Sequence, residues 1–178
     1  MSDKKDLWRG LPAEAGERTV WVVVEVPKGS RNNYEFVKGE LSHIKLDRVL
    51  HSPVVYNGDY GFIPRTLWED GEPLDALVIL EEPTFPGCVI ECRPIAFLEM
   101  RDDGKRDDKV ILVPESDPHY DNVNEKEDLP PHLFKEISHF FAVYKKLEGK
   151  EVEILGWKGA ESAWKAIRHA EKIYEEKI

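Results

Sequence analysis

The chain has 178 residues, of which 41% are hydrophobic and 34% are charged, and its formal net charge is −10. This length suits one domain with a hydrophobic core, spanning residues 1–178. No apolar run reaches the ~20 residues that a membrane-spanning helix needs, and the charged start is unlike a signal peptide, so we expect a cytoplasmic protein with no membrane partner. The acidic balance also argues against a nucleic-acid partner, because such proteins usually present a basic working face.

The first two thirds of the chain predict short strands. Residues 1–18 predict an irregular lead-in, because glycines and prolines interrupt them, whereas the β-branched run Thr19–Val26 predicts a strand. Residues 52–71 are rich in glycine and proline and predict loops. Further strands are predicted at residues 34–37, 44–50, 75–80, 88–100 with a break or bulge at position 94, 109–113 and 151–155. Short strands separated by turns indicate a small barrel or sandwich.

Two helices are predicted late in the chain. Apolar residues recur at three- and four-residue steps from Leu133 to Leu147. We expect Asp128 to cap the start of this helix, two prolines to occupy its first turn and Gly149 to end it. A second helix is expected from about Glu161 to the C-terminus. The predicted fold class is α+β but mainly β, a small barrel with flanking C-terminal helices.

Two loops concentrate carboxylates at the ends of predicted strands. Three carboxylates fall within residues 70–75 and four within residues 102–108. The turns can bring four aspartates toward one point: Asp70, Asp75, Asp102 and Asp107. Mg²⁺ takes oxygen ligands from one or a few carboxylates, water and substrate phosphate, and two such loops suit a site with two or more metal ions. Either loop alone is better explained as solvated surface.

Other residues are suggestive but not diagnostic one by one. Glu25 lies inside an apolar strand, where an unpaired carboxylate is costly, so it has a partner or a function unless it lies at a solvated edge. Arg48 suits phosphate recognition but is also an ordinary surface residue. Tyr144 and Lys145 place a phenol beside an amine late in a helix, where lysine interacts favourably with the helix dipole anyway.

In their order along the chain, these residues resemble the family I soluble inorganic pyrophosphatases. The resemblance runs from about Val20 to the C-terminus, and its specific fragments are Asp-Gly-Glu-Pro-Leu-Asp at residues 70–75 and His-Phe-Phe-x-x-Tyr-Lys at residues 139–145. It implies an OB-like β-barrel and several Mg²⁺ ions per subunit, with Mn²⁺ as a possible substitute. It also implies hydrolysis of pyrophosphate to two phosphates by metal-activated water, in homo-oligomers that are commonly hexamers.

The resemblance also implies a role for each matching position. The implied metal ligands are Asp70, Asp75, Asp102, Asp107 and Glu25. The implied substrate-binding residues are Asn33, Glu35, Arg48, Tyr60, Lys109, Tyr144 and Lys145, with Tyr56 as support. The implied catalytic residues are Glu72 and Tyr60.

Two positions depart from the pattern of the family. Glu72 stands where the family has the aspartate associated with activation of the attacking water, and a displacement of roughly 1 Å can cost ~10²-fold in rate. Asn33 stands where the family usually has a phosphate-binding lysine, a loss of ~1.5–3 kcal/mol that Lys28 or Arg31 can offset. The alternative function is therefore a non-catalytic or weakened homologue that binds metal and polyphosphate. A nucleic-acid-binding barrel is disfavoured, since no basic aromatic groove is evident.

Overall fold

The computed structural model describes residues 6–178, and in them a β-barrel is flanked by helices. The strands are β1 (Glu14–Gly16), β2 (Thr19–Val26), β3 (Asn32–Val37), β4 (His43–Val49), β5 (Asp59–Phe62), β6 (Asp75–Val78), β7 (Val89–Asp102), β8 (Lys105–Arg106), β9 (Lys109–Pro114) and β10 (Val152–Gly159). The helices are α1 (Leu7–Gly10), α2 (Pro131–Val143) and α3 (Ala160–Lys177). Short 3₁₀ turns occupy Pro118–Tyr120, Lys126–Asp128 and Lys146–Glu148.

Five strands close into a ring, which is the barrel. The order β2-β5-β6-β9-β7 returns to its start because β7 also pairs with β2. The pairing of β6 with β9 is parallel, and the other four pairings of the ring are antiparallel. Closure leaves the ring without free edges. The strands β3 and β4 form a separate two-stranded sheet. The predicted class, mainly β with a small barrel, is confirmed.

The long strand β7 links the barrel to its outer strands. Its first residues pair with β2, its middle pairs with β9, and residues from Ala96 onward pair with β10. The register with β9 shifts between Pro94 and Ala96, which confirms the predicted bulge at position 94. Proline has no N–H to donate, so a bulge there lets the strand bend and continue instead of ending.

Two helices cover the barrel with apolar faces. Helix α2 buries Phe134, Ile137, Phe140 and Phe141 in a cluster with Ile95 and Ile111 of the barrel. Helix α3 buries four small or branched residues, Ala163, Ala166, Ile167 and Ala170, against a second cluster of barrel residues. The second helix is therefore confirmed almost to the residue.

The predicted start and end of α2 are wrong in detail. Asp128 does not cap this helix, because its carboxylate accepts the backbone N–H groups of Asn124 and Glu125, just before the 3₁₀ turn Lys126–Asp128. The helix ends at Val143, and Leu147 lies beyond it with 65% of its surface exposed. Gly149 adopts a left-handed conformation, φ 76°, that ends the following 3₁₀ turn.

Two segments that were predicted to be irregular contain regular structure. The lead-in, as far as it is described, holds α1 and β1, and α1 is fixed by the Asp6 cap and by the buried Trp8. The loop-rich stretch contains β5, where a Cβ on Gly61 would lie 1.9 Å from the carbonyl oxygen of Val23. This glycine is required by the close approach of β2, although in the sequence it suggests a loop.

Replacing Gly61 by alanine is expected to destabilise the barrel by about 2–3 kcal/mol, because the new methyl group overlaps rigid backbone. Denaturant unfolding measures the change. The matched control is Gly159→Ala, whose Cβ would meet only the side-chain carboxylate of Glu125 and no backbone. Equal, small losses in both variants would contradict the close approach of β2 and β5.

Candidate active site

One cavity of about 530 Å³ gathers most of the residues singled out in the sequence. Its lining includes the four acidic-loop aspartates and eight other predicted residues: Asp70, Asp75, Asp102, Asp107, Asn33, Glu35, Arg48, Tyr56, Tyr60, Glu72, Tyr144 and Lys145. Glu25 lines a smaller cavity of about 170 Å³, which shares Glu35, Asp70, Glu72 and Asp75 with the first. Lys109 is fully buried and contacts two of the lining aspartates.

The second acidic loop is a tight hairpin. Strands β7 and β8 pair Asp102 with Lys105, which leaves only Asp103 and Gly104 in the turn. Both turn residues have positive φ, 47° and 81°, as a two-residue hairpin of the primed type requires. The backbone N–H of Asp107 then donates to the carbonyl of Met100, at 3.0 Å. The hairpin thereby returns Asp107 to the same cavity as Asp102.

The first acidic loop is a turn held by its own hydrogen bonds. Gly71 has φ 86°, and the N–H of Glu72 donates to the Asp70 carboxylate at 2.9 Å. The turn delivers Asp75 to the start of β6, directly opposite Lys109 on β9. The positive φ of Gly71 and the hydrogen bond to Asp70 thus explain why the chain turns here although the neighbouring carboxylates repel one another.

Lys109 lies between two carboxylates. Its Nζ donates to Asp75 at 2.5 Å and to Asp107 at 2.6 Å. Burial alone would lower the pKa of Lys109, but the charges of Asp107 and Asp75 more than offset it, and the pKa is raised well above its ordinary value. Burial, together with the charge of Asp75, raises the pKa of Asp107 to about 6 in spite of the ammonium. Two carboxylates share one cation, so the group keeps an excess of negative charge.

Asp102 has an oxygen without a hydrogen-bond donor. One carboxylate oxygen is bonded by the amine of Lys145. The other, Oδ1, is buried and has no partner among the described residues. Buried polar atoms are rarely left unpaired, and an orphaned carboxylate oxygen in a cavity lined by other carboxylates fits a cation ligand.

Three phenols form the aromatic side of the cavity. Tyr56 lies 5.2 Å from Tyr60 and 4.8 Å from Phe140, measured between ring centroids. Burial raises the pKa values of Tyr56, Tyr60 and Tyr144, so all three are neutral near pH 7. A neutral phenol can donate its proton in a hydrogen bond to an anion. Tyr56 already donates to the side-chain oxygen of Asn33, at 2.7 Å.

Cations also line the cavity. Arg48 is paired with Glu148 at 2.8 Å and with Asp47 at 3.0 Å, and Lys145 is paired with Asp102. Sequence reasoning assigned no role to Lys105, Arg106 or Lys150, which also line the cavity. Lys105 and Arg106 lie inside the second acidic loop, and this position is the only feature of the sequence that could have identified them as site residues. Lys150 follows Gly149, and nothing in the sequence around it indicates a role in the site.

Glu25 has the partner that its position in an apolar strand required. Its carboxylate accepts the backbone N–H of Phe36 at 2.8 Å. Burial raises the pKa of Glu25 to about 8, and the nearby charges of Asp75 and Glu35 raise it as well. The side chain therefore holds a proton over much of the neutral range in the metal-free protein.

The carboxylates form an open arrangement. Within residues 6–178, no three His, Cys, Asp or Glu side chains are grouped closely enough to enclose a metal ion by themselves. Mg²⁺ seldom needs such a cage, because it keeps several waters and takes one or two carboxylates plus substrate phosphate. Burial raises the pKa of Asp70, as it does that of Asp107, and the negative charge of Asp107 raises the pKa of Asp70 as well. A bound cation would relieve this repulsion.

A closed barrel with this mixed carboxylate, cation and phenol cavity defines an OB-like protein whose site suits an anion together with metal ions. Residues 22–175 match the family model described as inorganic pyrophosphatase, and the chain belongs to that family. The resemblance found in the sequence is thereby confirmed. The family depends on divalent metal. None of the helices described in residues 6–178 is both long enough and apolar enough to cross a bilayer.

Individual relatives cover nearly the whole chain. An inorganic pyrophosphatase of Haloferax volcanii is 54% identical over 175 residues, which are 96% of this chain and 97% of the relative. One from Methanosarcina acetivorans is 54% identical over 156 residues, or 88% and 92% of the two chains. The crystal structure of inorganic pyrophosphatase from Thermus thermophilus has a TM-score of 0.89 and 42% identity, and the match covers 94% of this chain and 98% of that one.

The raised pKa of Glu25 predicts how stability depends on pH in the metal-free protein. In the unfolded chain the pKa is near 4.5, so the folded protein binds more protons between pH 5 and 8. Its free energy of unfolding therefore falls as the pH rises through that window. Glu25→Gln keeps an acceptor for Phe36 and cannot ionise, so its melting temperature should exceed that of the wild type increasingly from pH 5 to pH 8.

Thermal unfolding in excess chelator measures this difference. The control is Glu176→Gln, because Glu176 is exposed on α3 and forms only a loose pair with Lys172 at 3.9 Å. A difference between Glu25→Gln and wild type that stays constant over the pH range would show that the buried carboxyl does not titrate as expected.

Proposed function

We propose that this chain hydrolyses inorganic pyrophosphate to two phosphates, with Mg²⁺ as the preferred metal and several ions per subunit. The observation that carries the proposal is the convergence of Asp70, Asp75, Asp102 and Asp107, from two separate turns, in one cavity that Arg48 and Lys145 also line. Membership of the pyrophosphatase family and the 54% identical relatives support the same reaction. No observation favours the non-catalytic alternative.

The aspartates are the proposed metal ligands. Asp102 offers a buried oxygen without a partner, and the excess negative charge around Lys109 makes Asp75 and Asp107 suitable as well. Glu25 lies in the adjoining cavity and is proposed as a further acidic group near the metals. The chemistry that bound divalent ions supply is neutralisation of the substrate and a more acidic water.

The cations and phenols are the proposed phosphate ligands. Without metal, Lys145 is paired with Asp102 and Arg48 with Glu148. Once Asp102 is committed to a cation, the amine of Lys145 is available to a phosphate oxygen. Tyr60 and Tyr144 add neutral donors, while Asn33 and Glu35 lie at the cavity wall and Tyr56 supports Asn33. Lys109 is proposed to contribute to phosphate binding indirectly, because it holds the carboxylates of Asp75 and Asp107 in place.

Glu72 is the proposed acceptor of the proton of the attacking water. Glu72 is the glutamate of the first acidic loop, and 66% of its side chain is accessible to solvent. It lines both cavities, next to Asp70 and Asp75. A general base needs this access, since it must come within hydrogen-bond reach of the water it activates.

Release of phosphate from pyrophosphate in the presence of Mg²⁺ tests the proposal, and excess chelator should abolish it. Asp102→Asn keeps the shape of the side chain but removes its charge, so kcat/KM should fall by ~10²–10³-fold, a loss typical of removing one electrostatic contact in an active site. The melting temperature should fall by much less than the rate, because the side chain keeps its size and loses only its ion pair with Lys145.

The matched control is Asp121→Asn, which changes an exposed aspartate outside the cavity and should leave the rate unchanged. Tight binding of pyrophosphate without turnover by the wild type would establish the non-catalytic alternative instead. Equal rates for wild type and Asp102→Asn would remove Asp102 from the metal site.

A cytoplasmic location is part of the proposal. Cys88 is half-buried, Cys92 is buried, and both are free thiols. Free thiols are the usual state of cysteine in a reducing compartment. Fractionation of cells followed by immunoblotting would locate the protein.

We further propose a homo-oligomer, and the family resemblance suggests a hexamer. Several large apolar side chains are exposed on the single chain: Leu41, Leu46, Val49, Val55, Phe85, Leu147, Leu155 and Ile178. Exposed apolar surface of this kind is commonly covered by a partner. Light scattering coupled to gel filtration should give about six times the chain mass of 20.5 kDa. A mass equal to one chain would reject the oligomer.

A further inference from the structure

A lysine outside the expected set of site residues contacts the proposed general base. The Nζ of Lys38 donates to the Glu72 carboxylate at 2.6 Å, across 34 positions of the sequence. Lys38 follows the last residue of β3, and Glu72 lies in the first acidic loop. Both side chains line the smaller cavity, which adjoins the carboxylate cluster. Within residues 6–178, no other side chain forms a hydrogen bond or ion pair with the Glu72 carboxylate.

The ammonium group of Lys38 rests on an indole that is itself fixed. Its Nζ lies 4.5 Å from the ring centroid of Trp8, a distance suited to a cation–π contact. Trp8 is 3% exposed, and its Nε1 donates to the carbonyl of Thr66 at 2.9 Å. Tyr174 packs edge-on against the same ring, at 5.3 Å. The position of the lysine is therefore set by the buried part of the N-terminal segment.

The ion pair of Lys38 and Glu72 contributes little to the stability of the fold. A quarter of the Lys38 side chain and two thirds of the Glu72 side chain are accessible to solvent. Ion pairs of this exposure contribute little to stability, because water and salt screen them. Its geometric effect is larger, since it selects one orientation for a long side chain that stands on an open turn beside Gly71.

We propose that Lys38, supported by Trp8, is a positioning residue that holds the carboxylate of Glu72 at the edge of the active-site cavity. The inference rests on the proposed function, in which Glu72 accepts a proton. Glutamate has one more rotatable bond than the aspartate of the family pattern, and a group misplaced by roughly 1 Å can cost ~10²-fold in rate. Lys38 supplies the constraint that this longer side chain lacks.

The first test compares Lys38→Met with Lys38→Arg. Methionine keeps an apolar stem without the charge, so kcat for pyrophosphate should fall ~10-fold while KM changes less than about twofold, the signature of an interaction that matters in the transition state. Arginine should restore kcat to within about threefold, because it keeps a cation that can contact both Trp8 and Glu72. Lys165→Met removes a more exposed lysine, which pairs with Glu161 on α3 far from the cavity residues in sequence, and should match the wild type.

The second test asks whether Lys38 acts through Glu72. In a Glu72→Ala background, Lys38→Met should cause no further loss of kcat, because Lys38 then has no carboxylate to position. Additive losses would overturn the proposal. Trp8→Leu should give a smaller loss of kcat with the same unchanged KM, and Lys38→Met answers the question even if the Trp8 variant does not fold.

The third test does not depend on activity. In a crystal structure of the metal-free Lys38→Met protein, the Glu72 carboxylate should leave its position or occupy several conformers, whereas the Lys165→Met protein should keep it in place. An unmoved, well-ordered Glu72 carboxylate would overturn the proposal.

The outcomes separate this inference from the function on which it rests. No hydrolysis by the wild type would overturn both, and full activity of Glu72→Ala would overturn the role of Glu72 and this inference with it. A strong loss in Glu72→Ala together with full activity of Lys38→Met would overturn the positioning role alone and leave pyrophosphate hydrolysis standing.

Discussion

The arrangement of the cavity depends on one buried ammonium group, that of Lys109. The side chain is inaccessible to solvent, and its Nζ contacts carboxylates of Asp75 and Asp107. Burying a lone ammonium would be very costly, and two adjacent carboxylates without it would repel each other. The ammonium of Lys109 and the carboxylates of Asp75 and Asp107 therefore stabilise one another in their buried positions. Removing one partner of such a buried group typically costs about 3–5 kcal/mol, because the remaining charge is left uncompensated.

The barrel places these three groups together through two simple rules of strand geometry. Asp107 and Lys109 are two residues apart in an extended segment and so point to the same side, and Asp75 is the register partner of Lys109 in the parallel pairing of β6 and β9. Two carboxylates against one ammonium leave an excess negative charge. Burial is the main cause of the raised pKa of Asp107, and the charge of Asp75 adds to it. Divalent cations offset such an excess and make an acidic protein suitable for an anionic substrate.

The sequence revealed this chemistry because its signals are local. Strand β2, the bulge at Pro94, helix α3 and both acidic turns follow from short patterns of β-branched, apolar and turn residues. What it missed depends on contacts between distant segments. Gly61 looks like a loop former until Val23 is seen beside it, and α1 is four residues long and gains its stability from Asp6 and from the packing of Trp8. The cap assigned to Asp128 failed because a 3₁₀ turn uses the same carboxylate first.

The two departures from the family pattern gain their meaning from neighbours that no sequence pattern identifies. Asn33 accepts the hydroxyl proton of Tyr56, a phenol with almost no solvent access that would otherwise lack an acceptor. Glu72 reaches Lys38, which the indole of Trp8 supports from the N-terminal segment. A residue that looks like a defect by itself can thus be matched by a compensating contact far away in the chain. The effect of such a departure on catalysis depends on the substituted residue and its contact partner together. The substituted residue alone does not predict it, because the partner determines its position.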